Sequence, residues 1–250
     1  MTATDSKTLP PLSVVVPVCD EAGAVEAFLH ELLDVAGSRY ALDVVVVDDG
    51  SRDGTDALVA TLAAEDDRLR LIRHNQRLGK SAALRTGMTQ ARSLWAATID
   101  GDGENDPADL VAMAQTIDPR MVGETGLVCG IRRRRTAGIG RLIASRIGNG
   151  VRRLALRDDC PDTACGLKLI PRDLFLSLPF FDSLHRFLPA LVRRYGYGII
   201  NVSIDDRARL AGRSKYTNLG RAAVGIVDLF GVMWLLRRSS VTPPSSEPGS

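Results

Sequence analysis

"DVVVVDDGSRDGTDALVATLAAEDD", residues Asp43 to Asp67, holds the unit on which the fold turns. Four consecutive valines form a β-branched run of strand length with no polar interruption, the pattern of a strand covered on both faces. The polar turn "DDGSRDGT" stops the run, and "DALVATLAAEDD" continues in residues that favour helix. The same grammar repeats on either side. Leu12 to Val18 ("LSVVVPV") is a strand followed by the helical "AGAVEAFLHELLDVA", Ala22 to Ala36. Arg68 to Arg73 ("RLRLIR") is a third strand, "GKSAALRTGMTQARSL" a helix, and "WAATI" a fourth strand that runs into Asp100. Strands alternating with helices predict an α/β fold with a doubly wound, mainly parallel sheet. Ligands of such sheets sit beyond the carboxyl ends of the strands. Both the "DDGS" turn and the acidic "DGDGEND" stretch, Asp100 to Asp106, fall on that edge.

Beyond about residue 131 the pattern changes. An arginine-rich segment precedes a short strand at "GLKLI", helices near Pro171 to Leu178 and Phe187 to Tyr195, and a strand at "GIINVSI". Arg221 to Arg238 ("RAAVGIVDLFGVMWLLRR") reads as a C-terminal helix. Its apolar interior, Ala222 to Leu236, would extend only about 22 Å, short of a roughly 30 Å hydrocarbon core, and it carries Asp228. Flanking arginines and Trp234 suit a helix lying in a membrane interface or packing on protein. The expected organisation is a flexible start over 1–10, one domain over 11–215, the amphipathic helix over 216–238 and a disordered tail over 239–250.

The chain has 250 residues and 45% apolar content, ample for a packed core, and 32 basic against 30 acidic residues give a net charge of +2. That balance gives no sign of nucleic-acid binding, and the arginines lack interleaved aromatics for stacking. Their distribution is uneven: Arg132, Arg133, Arg134, Arg135, Arg141, Arg146, Arg152, Arg153 and Arg157 follow one another with no acid between them. That half is a candidate surface for an anion. Cys19, Cys129, Cys160 and Cys165 show no CxxC spacing and no histidine cluster to complete a zinc site, so reduced, packed thiols are expected. The start, "MTATDSKTLPPL", lacks the basic and apolar regions of a signal peptide, which makes a cytoplasmic location the expectation.

The acidic stretch places Asp100, Asp102, Glu104 and Asp106 within seven positions, and like charges at that spacing need a cation or a partner. An EF-hand fails, because Asn105 stands where the loop needs glycine and Val111 where it needs an acid. A divalent ion held by one or two carboxylates and completed by substrate phosphates fits better, which is how magnesium is usually bound. "LGKS", Leu78 to Ser81, is not a P-loop, since its earlier glycine would fall at His74; Gly79 and Lys80 can still stand near an anion at a helix N-terminus.

Taken together, these segments resemble the inverting family 2 glycosyltransferases of GT-A fold, and among them the dolichol- or polyprenyl-phosphate sugar synthases. "VVVPVCDEAG" is similar to their opening strand, with Cys19 and Asp20 in place of the usual Tyr and Asn. "VVVVDDGSRDGT", "NQRLGKSAALRTGM", "DGDGENDP", "DTACGLKLI" and "RARLAGRSKY" match further family motifs in order. The resemblance implies that Asp100 and Asp102 meet Mg2+ or Mn2+, with Glu104 replacing the family's Gln as a further ligand. It implies that Asp48 and Asp49 contact the nucleoside, that Pro17 and Glu21 line its pocket, and that Lys80 and Arg132 serve the donor phosphates. Arg141, Arg209, Ser214 and Lys215 would surround the meeting point of donor and acceptor phosphates.

The nucleophile depends on the acceptor. A sugar hydroxyl needs a carboxylate base, for which Asp162 is the first candidate. A lipid phosphate is already anionic near neutral pH, needs no base, and calls instead for positive charge. The arginine-rich half favours the lipid phosphate. The expected enzyme moves a sugar, from a UDP-sugar in preference to GDP-mannose, to a polyprenyl phosphate. It would work as a peripheral protein on the inner face of the cell membrane, as a homo-oligomer or with a separate membrane partner. A transferase acting on a saccharide hydroxyl, and a non-catalytic nucleotide-sugar-binding subunit, are the alternatives.

Overall fold

The computed structural model describes residues 10–117, 124–133, 150, 152–205, 207 and 218–238, the side chains of 218–224 apart. Its seven strands are β1 (Pro11–Val18), β2 (Ala41–Asp48), β3 (Leu69–Arg73), β4 (Trp95–Thr98), β5 (Thr125–Arg132), β6 (Lys168–Pro171) and β7 (Gly198–Ile204). They form one sheet in the order β3-β2-β1-β4-β6-β5-β7. β1 runs parallel to β2 and β4, and β2 parallel to β3, with Val14 opposite Val44 and Val46 opposite Leu71. β6 is antiparallel to both β4 and β5, while β5 and β7 are parallel. The sheet is thus mainly parallel, as the alternating pattern predicts.

The helices among the described residues include α1 (Val25–Val35), α2 (Thr55–Glu65), α3 (Lys80–Gln90), α4 (Pro107–Ala114), α5 (Arg172–Ser177), α6 (Leu188–Arg194) and α7 (Asn218–Arg238). They explain why the valine runs are unbroken. Val14, Val16 and Val18 pack with Phe28, Leu29 and Leu32 of α1 and Leu110 and Met113 of α4. Val15 points the other way, into a cluster with Leu84 and Met88 of α3, Phe175 of α5 and Leu191 of α6. Alternate side chains therefore enter two cores, and each fully buried one contributes roughly 1.5–3 kcal/mol. Gly87 sets how closely α3 lies on the sheet: a Cβ there would come within 2.2 Å of Val15 Cγ1.

Two readings need adjustment. α3 ends at Gln90 rather than extending through "ARSL", because the amides of Arg92 and Ser93 are drawn to Ser13 Oγ and that of Arg92 also to Asp43. β5, "TGLVCGIR", is a strand that the pattern analysis left unassigned; it is buried in the second half of the sheet between β6 and β7. All four cysteines are free thiols, with Cys129, Cys160 and Cys165 buried. The domain boundary expected at 215 and the tail at 239–250 lie outside the described residues. α7 presents two faces. Val232 is buried, with Leu229, Met233, Leu235 and Leu236 against the second core, whereas Ile226, Val227, Phe230 and Trp234 are exposed.

Candidate active site

The loops after β1, β2, β3 and β4 meet at one edge of the sheet. Those after β1 and β2 are tied together by hydrogen bonds: the amides of Asp20, Glu21 and Ala22 donate to Ser51 Oγ, Thr55 Oγ1 and Asp53 Oδ2, and the Arg52 amide donates to Asp20 Oδ1. Asp20 holds a positive φ of 50° within this turn. A cleft of about 580 Å³ opens beside them, lined by Cys19, Asp20, Gly50, Ser51, Arg52, Arg73, His74, Asn75, Gln76 and Arg77. Gly50 permits it. Its φ is 72°, and a Cβ there would lie 2.9 Å from the backbone at Gln76 and Arg77.

Asp48 and Asp49 stand behind this cleft and hold two of its lining residues, Ser51 and His74. Asp48 is fully buried and accepts from the Ser51 amide and hydroxyl, with Arg73 Nε 3.4 Å away. Asp49 Oδ1 accepts from the Leu78 amide at 2.8 Å and lies 2.9 Å from His74 Nδ1, while Oδ2 accepts from the Gly79 amide at 2.8 Å. His74 in turn reaches Thr86 on α3. Contact with a nucleoside is expected of both carboxylates; the protein's own donors take much of their acceptor capacity, Ser51 and Arg73 at Asp48 and His74, Leu78 and Gly79 at Asp49. Pro17 and Glu21 are half-buried at the end of β1 and in the following loop.

The acidic stretch forms a tight turn after β4, with Gly103 at φ 75° and Asp106 capping α4 through the Ala108 amide, Pro107 in the first turn. Its carboxylates have separate fates. Asp100 Oδ1 lies 2.5 Å from Lys80 Nζ, delivered by the first turn of α3. Burial pushes the Asp100 carboxyl up, but the charge and hydrogen bond of Lys80, with Lys168 and Arg132 beyond, outweigh it and hold the group below the ordinary carboxylate value. Gly166 makes room for it, since a Cβ there would meet Asp100 Oδ2 within 2.4 Å. Asp102 is 7% exposed and accepts from the Glu104 amide at 3.1 Å. Asp106 takes Arg207 as its partner.

The second half supplies cations. Arg132, at the end of β5, donates to both oxygens of Asp162, from Nε at 2.8 Å and Nη2 at 3.1 Å. Asp162, the base candidate for a sugar hydroxyl, is 3% exposed and held in that two-pronged pair. Buried Lys168 donates to the carbonyls of Thr163 and Cys165. Arg152 is clasped to Asp158 at 2.8 Å and bonded to Thr163 Oγ1 and the Cys160 carbonyl, so the loop that carries Asp162 is anchored from within. Arg141, Arg209, Ser214 and Lys215 lie outside the described residues.

Among the described residues no three His, Cys, Asp or Glu side chains gather into a metal-holding group. The oxygen-only set of Asp100, Asp102 and Glu104 on one turn fits a hard divalent ion held by few protein ligands, the rest coming from the donor phosphates. Pattern analysis missed Arg52, Arg73, His74 and Arg77 as lining residues, and Lys168 and Arg207 as partners. The polar run "RHNQR", which begins on the last residue of β3, was the available signal for three of them.

The glycosyl transferase family 2 model matches residues 13–178, which takes in β1 to β6 and both acidic turns. The chain belongs to that family and is a glycosyltransferase of GT-A fold. It is 30% identical over 237 residues to a dodecaprenyl-phosphate galacturonate synthase of Rhizobium johnstonii, covering 90% of this chain and 67% of that protein. An undecaprenyl-phosphate 4-deoxy-4-formamido-L-arabinose transferase of Aeromonas hydrophila is 27% identical over 248 residues, 98% of this chain and 71% of its own. Among solved structures, mannosyl-3-phosphoglycerate synthase from Rubrobacter xylanophilus superposes with a TM-score of 0.71 at 19% identity, over 96% of this chain and 79% of that one. Glucosyl-3-phosphoglycerate synthase from Mycobacterium tuberculosis, solved with Mn2+, UDP and glucosyl-3-phosphoglycerate, gives 0.68 at 18% identity, over 91% and 80%.

Proposed function

We propose that the enzyme transfers a sugar, with inversion, from a nucleotide-sugar, a UDP-sugar ahead of GDP-mannose, to a polyprenyl phosphate at a membrane surface. The observation that carries the acceptor is the run of relatives named for polyprenyl phosphates, matched over 90% and 98% of this chain. The state of Asp162 supports the same reading. A sugar hydroxyl would have to compete with Arg132 for Asp162, the first candidate base, whereas a phosphate oxygen arrives already charged.

The nucleoside enters the cleft between the loop after β2 and residues 73–77, and the diphosphate lies toward Lys80 and Arg132. Asp100 and Asp102, with Glu104 beside them, would hold Mg2+ or Mn2+, which neutralises charge on the leaving diphosphate. Lys80 opens α3 and carries its ammonium to the same place, so charge developing on the leaving group meets donors that are already positioned. Arg141, Arg209, Ser214 and Lys215 would surround the point where donor and acceptor phosphates meet.

The exposed Ile226, Val227, Phe230 and Trp234 of α7, followed by exposed Arg237 and Arg238, support peripheral attachment to an anionic leaflet. No described helix is long and apolar enough to cross a membrane. The test is direct: incubate the protein with Mg2+ or Mn2+, a panel of labelled UDP- and GDP-sugars and undecaprenyl phosphate in detergent. Label entering the lipid phase from one donor supports the reading. Donor hydrolysis without lipid product overturns the acceptor and makes Asp162 the residue to test against saccharide hydroxyls.

A further inference from the structure

Helix α3 belongs by sequence to the first half of the sheet, yet one of its faces is fastened to the second. Ser81, Arg85, Met88 and Thr89 follow one another at three- and four-residue steps and so line one side of the helix. Ser81 Oγ lies 2.9 Å from His185 Nδ1, and the Arg85 guanidinium stands 5.2 Å from the centre of the Phe180 ring. Arg172 donates to the carbonyls of Met88 and Thr89 at 3.2 and 3.3 Å. Between these contacts Leu84 and Met88 are buried in the core that also holds Leu184 and Phe187.

The contact at the start of the helix is the one that bears on the site. Lys80 stands there between two anchors. Before it, the Gly79 amide donates to Asp49 Oδ2 at 2.8 Å, with Gly79 at φ 94°. After it, Ser81 is 4% exposed and meets His185 across 104 residues of chain. His185 sits in a single 3-10 turn, Leu184–Arg186, which leaves Ser183 at φ 67° and has buried Leu184 and Phe187 on either side. The imidazole is therefore presented by a packed turn. A lysine ammonium rides on a flexible four-carbon stem, so the place it reaches, here 2.5 Å from Asp100 Oδ1, depends on how firmly its backbone is held.

We propose that His185 is a positioning residue for Lys80: through Ser81 it fixes the first turn of α3, and with it the point at which the ammonium meets the donor diphosphate. The role rests on the reading of Lys80 as a group for the donor phosphates given above; the anchor on α3 does not. His185 acts through Ser81 and not by contact with substrate.

The experiment has one arm free of any nucleotide. Hydrogen exchange of the full chain is compared between wild type, His185→Ala and Ser81→Ala, with peptides covering 79–86 read out. At least threefold faster exchange in both variants is expected there; unchanged exchange overturns the anchor whatever the donor is. The second arm measures binding of UDP and of uridine, whose ratio isolates the diphosphate. Loss of one hydrogen bond should weaken UDP about fivefold in His185→Ala and in Ser81→Ala, while uridine stays within twofold. The double variant should lose no more than either single one, because both remove the same bond. His185→Asn, whose amide can stand where Nδ1 stood, should recover most of the loss. Added to Lys80→Met, His185→Ala should cost UDP binding nothing further. Equal losses for UDP and uridine, undiminished UDP binding, or a full further loss on top of Lys80→Met overturns the positioning role. Where His185→Ala does not fold, Ser81→Ala removes the same bond from the other side and is read by the same ratio. A wild type that binds neither UDP nor GDP overturns the donor reading and the positioning role together, and the exchange difference then leaves the anchor standing by itself.

Discussion

The carboxylates on the donor side of the site and those farther along the chain are held by different chemistry. Asp20, Asp48, Asp49 and Asp53 accept from backbone amides of the adjoining loops, at Arg52, Ser51, Leu78 and Gly79, and Ala22 and Thr55. Asp106, Asp158 and Asp162 take guanidinium partners, those of Arg207, Arg152 and Arg132, beside the Ala108 and Cys160 amides that the first two also accept. An amide is supplied by any residue except proline, so the first arrangement depends on the path of the backbone. The second depends on one side chain, and losing it leaves a charge stranded. Between them stands Asp102, buried on the acidic turn and accepting from the Glu104 amide, and it is there that we place the donor chemistry.

The largest effect is expected at that residue. Asp102→Ala should lower transfer by roughly 10²–10³-fold, as loss of a group that stabilises developing charge does, while the urea unfolding midpoint stays close to wild type. Wild-type turnover in this variant would remove Asp102 from the metal site. Asp158→Asn tests the guanidinium-held class: with Asp158 fully buried against Arg152, removing one charge should cost about 3 kcal/mol in urea unfolding. Replacing both partners, as Arg152→Met with Asp158→Leu, should restore most of it, and a double variant no better than the single would break the distinction.

For the amide-held class, Asp49→Asn keeps the shape but loses the charge that three donors share, and about 2 kcal/mol of stability is expected to go with it. A stable variant with weakened UDP binding would mean that Asp49 serves the nucleoside more than the wall. The smallest effect is at Asp53. Burial pushes its carboxyl up, but the Thr55 hydroxyl and the Ala22 and Thr55 amides outweigh it, so the folded value lies below the unfolded one. Its contribution is present above about pH 3.9 and lost as the pH falls through the folded value. Unfolding midpoints at pH 6 and pH 3 should therefore differ more in wild type than in Asp53→Asn.

How much was legible follows the same division. Unbroken valines in β1 and β2 and the "DDGS" turn are local patterns, and each appears where expected. The glycines add to this, since Gly50 and Gly166 stand where only a hydrogen fits. β5 escaped because "TGLVCGIR" carries three glycine or cysteine positions in a short run. The lining residues Arg73 and His74 lie at the end of a strand whose importance depends on which loop it faces.

The order of strand and helix, the edge on which ligands fall and the oxygen-rich turn that suits a divalent ion were set by the sequence itself, because periodicity and turn chemistry act over a few residues. Which cation answers which carboxylate was decided by tertiary structure alone. Lys80 takes Asp100, Arg132 takes Asp162 and Arg207 takes Asp106 across 20, 30 and 101 residues of chain, and Coulomb attraction depends on distance in space.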